Sequence, residues 1–181
     1  MKSRQLQQSI FNQVKIMQKQ IKAYKSSQKG ARLHRLRLAI KRTKALIFFA
    51  EKIYQKKYSV KALKPAYTLA GILREADLNI QLLNTLDKVP KHLIKDLENK
   101  EVHYQTEFVN RSSELLNDLK TFKKKLVLPQ RSCSLKSIKG FFKLEMKEKS
   151  ELLIKPSKTA VHDYRKHLKK LLYVYQTLPK T

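Results

Sequence analysis

Glycine is nearly absent from this chain of 181 residues, occurring only as Gly30, Gly71 and Gly140. Proline is confined to Pro65, Pro90, Pro129, Pro156 and Pro179. A sheet protein of this length needs more turn residues, so the sparse punctuation argues against a strand-rich fold and predicts long helices. The single cysteine, Cys133, excludes an internal disulfide and any zinc site built on a cysteine pair. No run of about 18 uncharged apolar residues exists, and Met1 to Tyr24 is amphipathic without the apolar centre of a signal peptide. The expectation is an all-α protein of the cytoplasm, with no membrane partner.

Acidic residues are scarce too: 14 Asp plus Glu face 41 Lys plus Arg, a formal net charge of +27. Such an excess destabilises a compact state unless counterions or an anionic partner screen it, which makes a polyanion the natural partner. Yet 41% of the residues are hydrophobic, well above a disordered basic tail. The chain is long enough to bury a real core as one domain or two small lobes.

One basic word is written twice. His34, Arg37, Lys41 and Arg42 are repeated as His162, Arg165, Lys169 and Lys170, at a constant offset of 128 residues. At about 100° per residue, His34, Arg37, Lys41 and Lys44 fall within an arc of roughly 80° on a helix. Leu33, Leu36, Ile40, Thr43 and Ile47 gather opposite them. In the second copy His162, Arg165 and Lys169 share a side, opposed by Tyr164, Leu168, Leu171 and Tyr175. From His34 to Lys44 the stripe runs about 15 Å, enough to follow several units of a polymer.

Periodic apolar residues (Leu6, Ile10, Val14, Met17, Ile21, Tyr24) mark a first helix over about 2–26, ended by Ser26 to Gly30. The second helix carries the first word and runs to about Lys57. Ser59 is the expected N-cap of a third helix ending near Leu86, with Pro65 at its second turn. Pro90 opens a stretch of one or two helices to about Leu126, and Val127 to Ser134 reads as a surface connection. A fifth helix is expected over about Leu135 to Ile154. Lys155-Pro156-Ser157 separates it from the last, with Ser157 as cap. The chain thus divides into halves of about 1–88 and 89–181 within one domain. A pseudo-symmetric pair of small helical bundles would bring both basic stripes to a shared cleft.

At these residues the chain resembles the CHAD family, the conserved histidine α-helical domain. The first family signature, His-x-x-Arg-x-x-x-Arg-Arg-x-Arg, is similar to His34, Arg37, Lys41, Arg42 and Lys44. The second, Leu-Gly-x-x-Arg-Asp-x-Asp-Val, is similar to the segment from Ala70 to Leu78, with Gly71, Arg74, Glu75 and Asp77. The third, His-x-x-Arg-Lys-x-x-Lys-x-x-Arg-Tyr, resembles His162, Arg165, Lys166, Lys169, Leu172 and Tyr173, with Leu172 where the family usually has a cation. The signatures come in the family's order and span residues 34 to 173. The resemblance implies a two-lobed helical fold with a basic central cavity, binding of inorganic polyphosphate, and association with polyphosphate granules. Relatives carry further helices after the third signature, so the second half of the cavity is expected to be open here or completed by another copy in a homo-oligomer.

The candidate polyphosphate-binding residues are therefore His34, Arg37, Lys41, Arg42, Lys44, Arg74, His162, Arg165, Lys166, Lys169, Lys170 and Tyr173. The bland alternative for the two words is a solvated helix face. Such a face mixes Glu with Lys, whereas no acid lies between Arg32 and Lys44 and only Asp163 lies between Lys158 and Lys170. Glu75 and Asp77 are expected to orient Arg37 or Lys41, and Arg74 is either a ligand contact or an internal ion pair. Tyr173 has a core position as its alternative. His162 and His167, five apart, lie on different faces and do not share a metal. His92 and His103 read as surface residues, as do Lys123, Lys124, Lys125, Lys143, Lys147 and Lys149.

Arg offers phosphate a planar fork and Lys a mobile point charge, which suits both to a phosphate polymer. Nucleic acid is the competing partner, but no helix-turn-helix, zinc-finger or RNA-binding signature occurs, and the aromatics sit mainly at apolar positions. Catalysis is not expected, because no P-loop, dinucleotide fingerprint, or nucleophile or carboxylate pair beside the histidines is found, and no cofactor is implied. Nor is the Glu-x-Glu-x-Lys strand of the triphosphate-tunnel hydrolases that often accompany the CHAD domain. Binding to an anionic polymer should weaken steeply with salt. A titration across a salt series is expected to show the logarithm of the association constant falling linearly with the logarithm of salt concentration.

Overall fold

The structure, a computed structural model, describes residues 2–86, 88–150 and 157–178, with the backbone alone at 91, 149 and 150. Seven α-helices and one 3-10 turn form its regular elements, and no strand occurs among the described residues. They are α1 (Ser3–Ser27), α2 (Gly30–Tyr54), the 3-10 turn (Lys61–Leu63), α3 (Lys64–Leu83), α4 (Lys91–Asn110), α5 (Ser112–Lys125), α6 (Leu135–Ser150) and α7 (Lys158–Tyr175). The fold is all-α, as the scarcity of glycine and proline requires. No helix among the described residues is long and apolar enough to cross a membrane.

The apolar repeat of α1 is its buried stripe: Leu6, Ile10, Val14, Met17, Ile21 and Tyr24 are all essentially inaccessible. The helix ends at Gln28, whose φ of 49° lies in the left-handed region and turns the chain into α2. At the far end of α2, Gln55 takes the same conformation, with φ 53°. Its side-chain amide donates to the Lys52 carbonyl at 2.7 Å, satisfying a group the helix end leaves without a partner.

The chain forms two compact units, each assembled from separated segments. One comprises residues 14–40 and 60–125: the second half of α1, the first half of α2, and α3 to α5. Its core holds Met17, Ile21, Tyr24, Leu33, Leu36, Leu63, Leu73 and Phe108, with Tyr24 edge-on to Phe108 at 4.9 Å between ring centres. The other comprises the first 13 residues, 41–59 and 126–181. There α2 is buried almost all round, through Thr43, Ala45, Leu46, Ile47, Phe49 and Ala50, and Phe141 of α6 packs edge-on to Phe49 at 4.9 Å.

Several boundaries differ from the sequence expectation. Ser59 does not cap a helix; a 3-10 turn comes first, and Pro65 falls at the start of α3, where a missing N–H costs nothing. The stretch after Pro90 is two helices. At the break, Ser112 Oγ donates to the Val109 carbonyl at 2.7 Å, and Arg111 pairs with Glu107 at 3.0 Å and Glu114 at 2.9 Å. The connection before α6 is more than surface, because Leu126, Leu128 and Cys133 are buried and anchor it. Ser134 caps α6, accepting from the Ser137 N–H at 3.0 Å, and Ser157 caps α7 as expected, accepting from the Ala160 N–H at 3.0 Å. The expected end of the fifth helix at Ile154, and Lys155, Pro156 and Pro179, lie outside the described residues.

Burial pushes the Tyr24 phenol up to about 12, with Glu101 and Asp77 adding to the effect. In the unfolded chain a phenol ionises near 10, so the folded state keeps a proton that the unfolded state releases, and stability falls as pH rises from about 10 towards 12. Tyr24→Phe is expected to remove this part of the alkaline loss. Urea midpoints between about pH 9 and pH 11 check it: an unchanged pH dependence in the variant would contradict the assignment.

Candidate anion-binding site

In the unit containing residues 14–40 and 60–125, α2 and α3 run antiparallel, as their contacts show: Gly30 lies against Arg74 and Asp77, and Arg37 against Tyr67 and Gly71. The Arg37 guanidinium sits over the Tyr67 ring, 4.4 Å from its centre, and its Nη1 donates to the Tyr67 carbonyl at 3.0 Å. It can lie there because residue 71 has no side chain; a Cβ at that position would overlap Nη1. Arg74 pairs with Asp77 on its own helix, and Asp77 also accepts from the Gln81 amide at 2.6 Å. Arg74 thus makes the internal ion pair that is one of its two expected roles. The expectation that Glu75 and Asp77 orient Arg37 or Lys41 is corrected: Tyr67 holds Arg37, Asp77 engages Arg74, and Glu75 is exposed. The reason is register, since Asp77 lies three residues beyond Arg74 on the same helix and can pair with it without crossing the seam. His34 is exposed and Arg37 half-buried.

In the unit containing residues 41–59 and 126–181, α2 and α7 also run antiparallel. Arg42 lies over the Tyr173 ring at 5.9 Å, while six residues further along α2, Phe48 meets Lys170 and His167. The Lys170 ammonium is 3.5 Å from the centre of the Phe48 ring, a cation–π contact. The structure therefore joins the end of the first word, Arg42, to the last residue of the third signature, Tyr173. Helix α7 turns His167, Leu171 and Val174 inward, and His162, Arg165, Lys166 and Lys169 are exposed. Lys166 pairs with Asp163 at 2.6 Å. Lys41 is exposed, and Arg42, Lys44, Lys170 and Tyr173 are half-buried. His92, His103, Lys123, Lys124, Lys125, Lys143 and Lys147 are exposed, whereas the side chain of Lys149 lies outside the described residues.

The sequence reading missed a buried polar knot beneath the second word. Glu145 of α6 is 3% exposed, and its carboxylate meets Lys52 of α2 at 2.9 Å and His167 of α7 at 3.6 Å. The His167 Nε2 also lies 3.1 Å from the Glu145 carbonyl. The hydrogen bond to Glu145 raises the Lys52 ammonium above its usual range, against the opposing effect of burial. A signal was present: Glu145 follows Ile138 and Phe141 at stripe spacing, and His167 precedes Leu171 and Val174 at the same spacing. Two titratable groups on apolar stripes mark a buried pair. A second signal is that no carboxylate precedes Glu51, so the first 50 residues carry cations alone.

Among the described residues no group of three or more His, Cys, Asp or Glu is placed to hold a metal ion. The arrangement offers fixed guanidinium and ammonium groups to an anion. Compared with known proteins, the chain matches no family model, no curated protein and no solved structure.

Removing the exposed partner of the buried knot should be worse than removing the buried charge. Lys52→Met removes the cation from the buried Glu145 carboxylate and is expected to cost about 3 kcal/mol, the upper end for a stranded buried acceptor. Glu145→Gln keeps the shape and frees Lys52 to solvent, at about 1–2 kcal/mol. Urea midpoints of the two variants check the order, and a reversed order would show that the carboxylate is not what Lys52 stabilises.

Proposed function

We propose that this chain is a CHAD-like, non-enzymatic module that binds inorganic polyphosphate through its two His/Arg/Lys helix faces. The observation that carries the reading is the exposure of the same His and Lys positions in both words. His34 and Lys41 correspond to His162 and Lys169, and all four are exposed. The lack of any carboxylate before Glu51 adds to it. A helix presents such groups at fixed intervals, so successive phosphates of a linear chain can meet successive cations, and release of condensed counterions supplies much of the affinity. The finer architecture that belongs to this reading is a pair of pseudo-symmetric bundles around a basic cleft. Recruitment to polyphosphate granules in the cytoplasm belongs to it as well.

Tyr175 is the only exposed aromatic among the described residues. Base stacking needs a series of such rings, so this favours a polyanion without bases over single-stranded nucleic acid.

A competition titration tests the proposal: labelled polyphosphate is displaced by unlabelled polyphosphate, RNA, DNA or sulfate at matched charge and salt. Polyphosphate is expected to displace at the lowest concentration, and equal displacement by RNA would remove the preference. Two quadruple variants of equal charge sharpen the test. Replacing Arg37, Lys41, Arg165 and Lys169 with Ala should weaken binding about a hundredfold more than replacing Lys123, Lys124, Lys125 and Lys147 with Ala. Equal losses would mean that total charge, not position, holds the ligand.

A further inference from the structure

The structure assigns Tyr67 and Gly71 as positioning residues that set Arg37 as a rigid guanidinium fork for a phosphate group of the bound chain. The assignment rests on the polyphosphate reading and concerns how one cation of the first word is prepared for it. Arg37 differs from the exposed lysines in being held on two sides. The Tyr67 ring lies beneath its guanidinium at 4.4 Å, and the Tyr67 carbonyl accepts from Nη1 at 3.0 Å. Gly71 leaves the space in which Nη1 sits. An arginine has five N–H donors, so one bond to a carbonyl leaves the others to offer, and Arg37 is only half-buried. Two further features suit an anion. The acceptor is a neutral carbonyl, so the cation keeps its full charge, and Asp77 on the same helix face is engaged by Arg74 and Gln81. A cation whose orientation is already set loses less freedom on binding and presents a planar pair of donors that lysine cannot imitate.

The decisive variant is Gly71→Ala, which changes no charge. The atom its Cβ would strike is the far end of a flexible side chain, so the chain folds with the guanidinium displaced. Polyphosphate of defined length is titrated across a salt series, with thermal melts establishing that each variant is folded. Gly71→Ala is expected to weaken binding about tenfold and to lower the salt slope by about one phosphate contact, despite an unaltered net charge. Arg37→Lys should lose as much as Arg37→Ala, and Tyr67→Leu should lose affinity where Tyr67→Phe does not, because the ring and the carbonyl, not the hydroxyl, hold the guanidinium. Adding Gly71→Ala to Arg37→Ala should produce no further loss of affinity.

Folded Gly71→Ala that binds with the parent affinity and slope overturns the assignment, as does an Arg37→Lys variant equal to the parent. Should Gly71→Ala not fold, the Arg37→Lys and Tyr67 variants decide by the same criteria. The two levels fail separately. If Lys41→Ala, Arg165→Ala and Lys169→Ala weaken binding while Gly71→Ala does not, only the role of Tyr67 and Gly71 is wrong. If none of them weakens it more than Lys124→Ala does, polyphosphate binding by the two words is itself refuted.

Discussion

Charge imbalance is the constraint to which this fold answers. With 41 basic and 14 acidic side chains, most cations can have no carboxylate of their own, and mutual repulsion opposes every compact arrangement. Several of the described acids lie where helices start, stop or cross. Glu145 ties α6 to Lys52 of α2 and His167 of α7, Asp77 pairs with Arg74 beside Gly30, and Glu107 and Glu114 flank Arg111 at the break between α4 and α5. Glu51 accepts from the Tyr58 N–H at 2.9 Å just beyond the end of α2. The remaining stabilisation comes from apolar stripes, and so the exposed helix faces are left strongly positive.

Two ways of handling a cation follow. Lysines on the outer faces keep their hydration and attract anions from a distance, with little geometric preference. Arg37, Arg42 and Lys170 instead rest on the rings of Tyr67, Tyr173 and Phe48, where an aromatic face balances part of their charge without cancelling it. A carboxylate in the same place would have neutralised the group. Aromatic support is thus a means of fixing a cation while leaving it available to a ligand.

The helical fold was legible because its signals are local. The stripe from Leu6 to Tyr24, the opposed faces around His34 and the cap at Ser157 each lie within a few turns of one helix, and the structure reproduces them. What escaped depends on partners remote in sequence. The connection before α6 is anchored by residues far off in the chain, Gln7 donating to the Leu126 carbonyl and Tyr54 to the Arg131 carbonyl, both at 3.5 Å. At the candidate site the cationic faces could be read from spacing alone. The partner of Arg37 could not, because Tyr67 is thirty residues away and contributes its ring and its carbonyl.

Helices α1 and α2 each contribute one end to one compact unit and the other end to the second. Because both rods are continuous, there is no peptide bond whose cleavage releases either unit with all its parts. Neither could be copied, lost or transplanted alone by rearrangement of a coding sequence. Melting of either helix along its whole length would strip both units of core residues.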